Sequence, residues 1–413
     1  MSRAAPTMKT EAVSPSPVFD KCYRYRDAER ARQVRLYPFF RALDSGSDPE
    51  VTIEGLRMIM LGSNNYLGLA NDPRVKEAAV AAVRKYGSSC AGSRLLNGTL
   101  DLHVRLEERL AEFVRQPAAV TFTTGYQVNL GTLSCLVGKG DTVYLDKLDH
   151  ACIIDGARLS FGHVCKFKHS DPADLKRQLK NDDGVGGRLV VVDGVFSMEG
   201  DITPLPEIVS AAREFAAGVM VDDAHGIGVL GRTGRGTAEH FGLEAEVDLM
   251  MGTFSKAMAS IGGFIAADAP VIDYVKHHAR TLIFSAAPSP GAAGAALAAL
   301  AIMESEPERR ASLWENTRFF VDALKSIGLD TGQSQTPVVP IVVGDDLVAI
   351  MMAQRLHEEG VFVNCVLPPA TPRGRALIRT SLMATHTRDQ LSRALDAIER
   401  IGREVGLVHG VGV

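Results

Sequence analysis

G-V-M-V-D-D-A-H spans residues 218–225, M-G-T-F-S-K spans 251–256, and I-G-G-F follows at 261–264. Residues 219–221 form an apolar run of strand type that ends at Asp222. Residues 249–251 form a second, running into Thr253, Ser255 and Lys256. In α/β sheets, ligands bind outside the carboxyl ends of the strands. One strand tip therefore offers a carboxylate and an imidazole, Asp222 and His225. The other offers two hydroxyls and an amine.

Those groups have a joint chemical use. A lysine amine forms a Schiff base with an aldehyde cofactor, and pyridoxal phosphate needs a carboxylate beside its pyridinium nitrogen. Asp222 suits the carboxylate, Lys256 the amine, and Thr253 and Ser255 the phosphate. Each residue also has a plainer reading, with Lys256 a solvated loop lysine and Asp222 a helix cap. Singly, the plainer reading wins. Together with T-F-S-K, the cofactor reading does.

Outward from this stretch, strands and helices alternate. Residues 118–122 form a strand ending in T-T-G-Y, where Gly125 and Tyr126 open a helix whose free N–H groups suit phosphate. Residues 142–145 form another, with His150 just past its tip. Residues 189–193 form a third, leading into G-V-F-S-M-E-G-D and Ser197, and a helix at 205–216 precedes the Asp222 strand. This pattern predicts a mostly parallel α/β sheet covered on both faces. Upstream, residues 58–69 read as a short strand entering a polar turn that holds Asn65. A Gly/Ser-rich loop at 86–99 precedes a helix at 102–114. Downstream, 291–303 is an Ala-rich buried helix. Helices at 310–327, 347–359 and 387–405 then mix with strands at 338–343, 361–364 and 376–381. The expected division is a tail and arm (1–60), a large cofactor-binding domain (61–304) and a smaller α+β domain (305–413).

Composition narrows the class. A chain of 413 residues, 46% of them hydrophobic, has room for two domains. A net charge of −4 argues against nucleic acid as a partner. Six scattered cysteines contain no C-x-x-C, so neither a metal site nor a disulfide framework is expected, and reduced thiols in the cytoplasm fit best. Residues 1–17, rich in Ser, Pro and Ala, lack a signal-peptide core and read as a disordered tail. Residues 19–41, charged with Arg and Tyr interleaved, read as a solvated helix; an arm or an acyl-thioester contact is the alternative. The apolar stretch at 291–303 is shorter than the roughly 20 residues of a membrane span, so a soluble protein is expected. Gly226, Gly228 and Gly231 spell G-x-G-x-x-G, but a dinucleotide fingerprint should open directly into a helix. The residues that follow, R-T-G-R-G, are poor helix material, so these glycines read as a turn.

T-G-Y (124–126), D-H-A (149–151), D-G-V-F-S-M-E-G-D (193–201), V-D-D-A-H (221–225), G-T-F-S-K (252–256) and P-P-A-T-P (368–372) occur in this order. The set resembles the α-oxoamine synthases, pyridoxal-phosphate enzymes of the aspartate aminotransferase-like fold (fold type I), and the likeness runs from about residue 64 to 386. Residues 87–103 and 376–387 look most like the bacterial serine palmitoyltransferase branch. The resemblance implies Lys256 as Schiff-base lysine and base, Asp222 on the pyridine nitrogen, and His225 on the 3-hydroxyl with Ser197 nearby. It implies His150 stacked on the ring and touching the substrate carboxylate. Gly125, Tyr126, Thr253 and Ser255 would hold the phosphate, and Ser285 would reach the neighbouring subunit's phosphate. Arg379 would bind the amino-acid carboxylate, with Asn65 near it. In some relatives an arginine precedes P-P-A-T-P; here Leu367 stands there.

The implied reaction is a decarboxylating condensation of L-serine with a long-chain acyl-CoA, palmitoyl-CoA, giving 3-ketodihydrosphingosine, on a homodimer with shared sites. Peripheral membrane contact stays open. The alternatives are a sister enzyme using glycine or alanine with another acyl thioester, and a non-catalytic partner subunit, which should lack Lys256.

Overall fold

The D-D-A-H strand, Gly218–Asp222 (β7), is the middle of a seven-stranded sheet. Its companions are Ala118–Phe122 (β3), Thr142–Asp146 (β4), His163–Phe167 (β5), Arg188–Asp193 (β6), Leu249–Thr253 (β8) and Gly263–Ala267 (β9), in the order β3-β9-β8-β7-β6-β4-β5. Neighbours from β5 to β8 pair in parallel; only β9 runs against its neighbours, pairing antiparallel with β8 and β3. The computed structural model describes residues 16–182 and 184–408, so all but Ser16 and Pro17 of the expected tail lie outside the described residues.

The apolar runs follow from burial on both faces. Val219 and Val221 of β7 join one core, while Met220 between them joins another across the sheet. Val190 and Val192 of β6 likewise oppose Val191. Over one face lies the Ala-rich helix Pro290–Ser305, packed on the helix Pro73–Tyr86. A Cβ on Gly294 would come within 2.8 Å of the Ala78 carbonyl and the Ala82 methyl, so small residues permit this close approach.

Among the described residues, two smaller sheets accompany the seven-stranded sheet. Val338–Gly344 (β10), Ala376–Ser381 (β13) and Asn364–Val366 (β12) form an antiparallel sheet in the order β10-β13-β12, accompanied by the helices Asp346–Glu358 and Arg388–Glu404. Glu50–Ile53 (β1), Leu56–Met60 (β2) and Val361–Phe362 (β11) form the other. The single strand expected at 361–364 is thus two, because Val361 and Phe362 pair with β2 whereas residues 364–366 pair with β13. The helix expected over 19–41 is also divided, into Asp20–Arg24 and Asp27–Gln33, after which helix ends. The expected strands at 142–145 and 189–193 lie within β4 and β6. Among the described residues, no helix is long and apolar enough to cross a membrane.

Candidate active site

The strand tips meet at a cavity of about 380 Å³. Nine predicted residues line it: Gly125, Tyr126, His150, Ser197, Asp222, His225, Thr253, Ser255 and Lys256.

Asp222 ends β7, buried, with its Oδ2 accepting from Asn129 Nδ2 at 2.6 Å and Oδ1 from the Ala224 N–H at 3.0 Å. The next residue, Asp223, faces away and accepts from the N–H and hydroxyl of Thr237 at 2.6 and 2.7 Å. A Cβ on Gly226 or Gly236 would fall within 2.0 Å of an Asp223 oxygen, so those glycines make room for this carboxylate. Gly228 and Gly231 sit at φ +77° and +82°, a region that favours glycine. The G-x-G-x-x-G is a turn.

Lys256 follows the end of β8, where Phe254 is buried and stacks on Phe264. Burial pushes the Lys256 amine down to about 8, against the pull of Asp222 and Asp193. At the other end of the cavity, Thr124 caps the helix Gly125–Leu136 by accepting from the Gln127 N–H at 3.2 Å. Thr253 Oγ1 lies 3.0 Å from Ser255 Oγ. A Cβ on Gly125 would come within 2.6 Å of that threonine oxygen, so the helix N-terminus and the β8 hydroxyls share one spot.

His150 caps the helix Ala151–Leu159, its Nδ1 accepting from the Cys152 N–H at 3.2 Å. That bond places the ring hydrogen of neutral His150 on Nε2. Burial first, and Lys256 as well, lower its pKa against the raising effect of Asp222. The His150 N–H donates to Asp193 Oδ2 at 2.8 Å, and Asp149 accepts from the N–H groups of Asp146 and Asp193 across the tips of β4 and β6. Burial, then the negative charge of Asp222, raises the pKa of Asp193.

Arg379, buried on β13, uses every arm of its guanidinium. Nε donates to the Ser197 carbonyl at 2.6 Å, Nη1 to Ser381 Oγ at 3.1 Å and Nη2 to Asn64 Oδ1 at 3.0 Å. Here the sequence reading is corrected. Asn65, expected near the carboxylate site, is turned away: its Nδ2 donates to the Ser47 carbonyl and its Oδ1 accepts from the Ala70 N–H. The neighbouring Asn64 meets Arg379 instead. Ser285 does not line the cavity and accepts from Gln127 Nε2 at 3.2 Å. Leu367 packs against the core. Residues not singled out from sequence include Asn64, Tyr66, Thr124, Asn129, Cys152 and Asp193. Thr124 and Asp193 stood inside quoted motifs, whereas nothing local marked Asn129.

The donor set fits pyridoxal phosphate. A helix N-terminus with three nearby hydroxyls suits a phosphate, a buried carboxylate suits a pyridinium nitrogen, and a lysine near neutrality suits Schiff-base chemistry.

The family model described as aminotransferase class I and II matches residues 57–398. The chain is 48% identical over 392 residues to the serine palmitoyltransferase of Sphingobacterium spiritivorum, covering 95% of this chain and 98% of that one. It is 47% identical over 378 residues to the 8-amino-7-oxononanoate synthase of Symbiobacterium thermophilum, covering 91% and 96%. A solved serine palmitoyltransferase carrying pyridoxal phosphate superposes with a TM-score of 0.91 at 36% identity, covering 95% and 99%. With its seven-stranded sheet, its Lys256–Asp222 cavity and these likenesses, the chain belongs to the aminotransferase class I and II family and, within it, to the pyridoxal-phosphate-dependent α-oxoamine synthases.

Proposed function

We propose that the protein catalyses the decarboxylating condensation of L-serine with a long-chain acyl-CoA, palmitoyl-CoA, to give 3-ketodihydrosphingosine, the first step of sphingolipid biosynthesis. The observation that carries the reaction class is Lys256, an amine brought near neutrality in one cavity with Asp222. Pyridoxal phosphate, when bound, supplies the electron sink. Lys256 would hold the cofactor through its aldehyde and would serve as the base for the amino acid's α-proton. Asp222 would pair with the ring nitrogen, His225 with the 3-hydroxyl with Ser197 nearby, and His150 with the ring. Gly125, Tyr126, Thr253 and Ser255 would hold the phosphate. Arg379 and His150 orient the serine carboxylate, and so decide which bond at the α-carbon breaks.

We read the active form as a homodimer in which Ser285 reaches the partner's phosphate. Exposed apolar side chains beside the cavity and next to Ser285, Ile261 and Phe284, support this reading. The working division is a large unit (61–304) and a small unit (305–413), with 1–60 as the arm, in a cytoplasmic protein.

The test is a titration of cofactor-loaded protein with serine, glycine and alanine, followed by palmitoyl-CoA. Serine alone should change the cofactor absorbance strongly, and palmitoyl-CoA should then release CoA. The likeness to an 8-amino-7-oxononanoate synthase favours a second reading, alanine with a pimeloyl thioester. A response to alanine and not to serine would select it.

A further inference from the structure

Tyr66 lies outside the cavity yet touches its wall. The side chain is 1% exposed, and its hydroxyl is 2.7 Å from Nδ1 of His225, which does line the cavity. The hydroxyl has one proton to give and two acceptors in reach: His225 Nδ1 at 2.7 Å and Asn64 Oδ1 at 3.4 Å. Hydroxyl hydrogen bonds are best near 2.7–2.8 Å and fade beyond about 3.0 Å. Of the two, His225 is the better acceptor for the phenol.

Both groups stay in the states this bond requires. Burial pushes the Tyr66 phenol up to about 12 despite the opposing influence of Arg379 and Ser381, so it remains a donor. Burial first, then the charges of Lys256 and Arg379, hold His225 well below its ordinary pKa, so it remains neutral. A neutral imidazole that accepts at Nδ1 carries its hydrogen at Nε2. No hydrogen bond among the described residues occupies that nitrogen.

On the far side, Asn64 Oδ1 accepts from Arg379 Nη2 at 3.0 Å and lies 3.4 Å from both Ser381 Oγ and the Tyr66 hydroxyl. A polar chain thus runs from the guanidinium that would face the amino acid to the imidazole that would face the cofactor.

We propose that Tyr66 is a positioning residue that fixes His225 in its Nε2–H form, presenting one hydrogen-bond donor to the cofactor's phenolic oxygen, and that joins this donor to the Arg379 site. The proposal rests on reading the cavity as a pyridoxal-phosphate site, and it does not depend on which amino acid reacts.

The test pairs ¹⁵N NMR of the histidine-labelled full chain with titration of pyridoxal phosphate followed by absorbance. In the unsubstituted protein, His225 should show a pyridine-type Nδ1 and a pyrrole-type Nε2; the reverse pattern overturns the proposal, whatever a variant does. Tyr66→Phe keeps the ring and removes the donor. It should mix the two tautomers and weaken cofactor binding about three- to tenfold. In a His225→Asn background the same change should cost nothing further, because the two residues act as one unit. An equal loss in both backgrounds would make Tyr66 a packing residue and sink the idea. Absence of cofactor binding by the unsubstituted protein would instead overturn the reading of the cavity itself.

Discussion

Asn129 Nδ2 lies 2.6 Å from Asp222 Oδ2, reaching from the middle of the helix Gly125–Leu136 to the end of β7. The same helix therefore presents its N-terminus to Thr253 and a side-chain amide to Asp222. In the proposed binding mode, this one rigid element would set the spacing between the two anchors of the cofactor.

Asn129→Leu removes one of the two donors that hold the Asp222 carboxylate in place. A hydrogen bond to a charged group is worth roughly 1.5–3 kcal/mol. Cofactor affinity should fall at least about tenfold, as read by absorbance titration, while circular dichroism stays unchanged.

Arg379→Lys keeps the charge but loses the planar fork that binds Ser197, Ser381 and Asn64 together. The KM for the amino acid should rise roughly 10- to 100-fold. Cofactor affinity should change little, and a steady-state assay with varied serine separates the two effects.

Lys256→Ala should cost at least about a hundredfold in turnover, the lower end of what a positioned base contributes. It also has a stability signature without cofactor. The folded chain holds the Lys256 amine near 8, below its ordinary 10.5, so between those values the unfolded chain binds the extra proton. Stability should rise with pH across that window. Melting temperatures of the unsubstituted chain and the variant, compared from pH 7 to 10, should shift relative to one another in favour of the unsubstituted chain.

His169 bridges Asp146 and Asp201 at 3.0 and 3.1 Å, tying β4 to the loop after β6. Burial lowers its pKa, but the two carboxylates outweigh burial and raise it to about 10. Its stabilising contribution is full below about 6.5 and is lost as pH climbs towards 10. His169→Gln should therefore destabilise the protein at pH 6.5 by roughly 1.5–3 kcal/mol, and by much less at pH 10, measured by urea unfolding.

Much of this was legible because strand tips carry local signals. The apolar runs that end at Asp222 and Asp193 are continuous because both sheet faces are buried, and that continuity is visible in sequence. Strand β9 and its reversal are not among the expected elements, since apolar G-F-I-A-A carries no mark of direction. The helix Pro73–Tyr86 is not among the expected elements, although Asp72 caps it and Pro73 opens it. The sequence points to Asn65, whereas Arg379 meets Asn64, because a polar turn does not disclose which amide faces inward. Only the hydrogen bonds of Asn65 to Ser47 and Ala70 reveal that it braces the turn. Tyr66 gave no signal at all, because its partner His225 lies 159 residues away in the chain.

The sheet that joins β1 and β2 to β11 has a consequence for how the chain is made. Ile59 pairs with Val361, a partner about 300 residues later. At roughly 5–20 residues per second, a ribosome takes about 15–60 s to deliver it. During that interval Val51, Ile53, Met58 and Met60, all buried in the finished molecule, have no completed sheet edge to meet. The hairpin must wait for most of the chain to emerge, and a nascent protein halted before residue 361 should be a strong client for chaperones that bind exposed apolar strands.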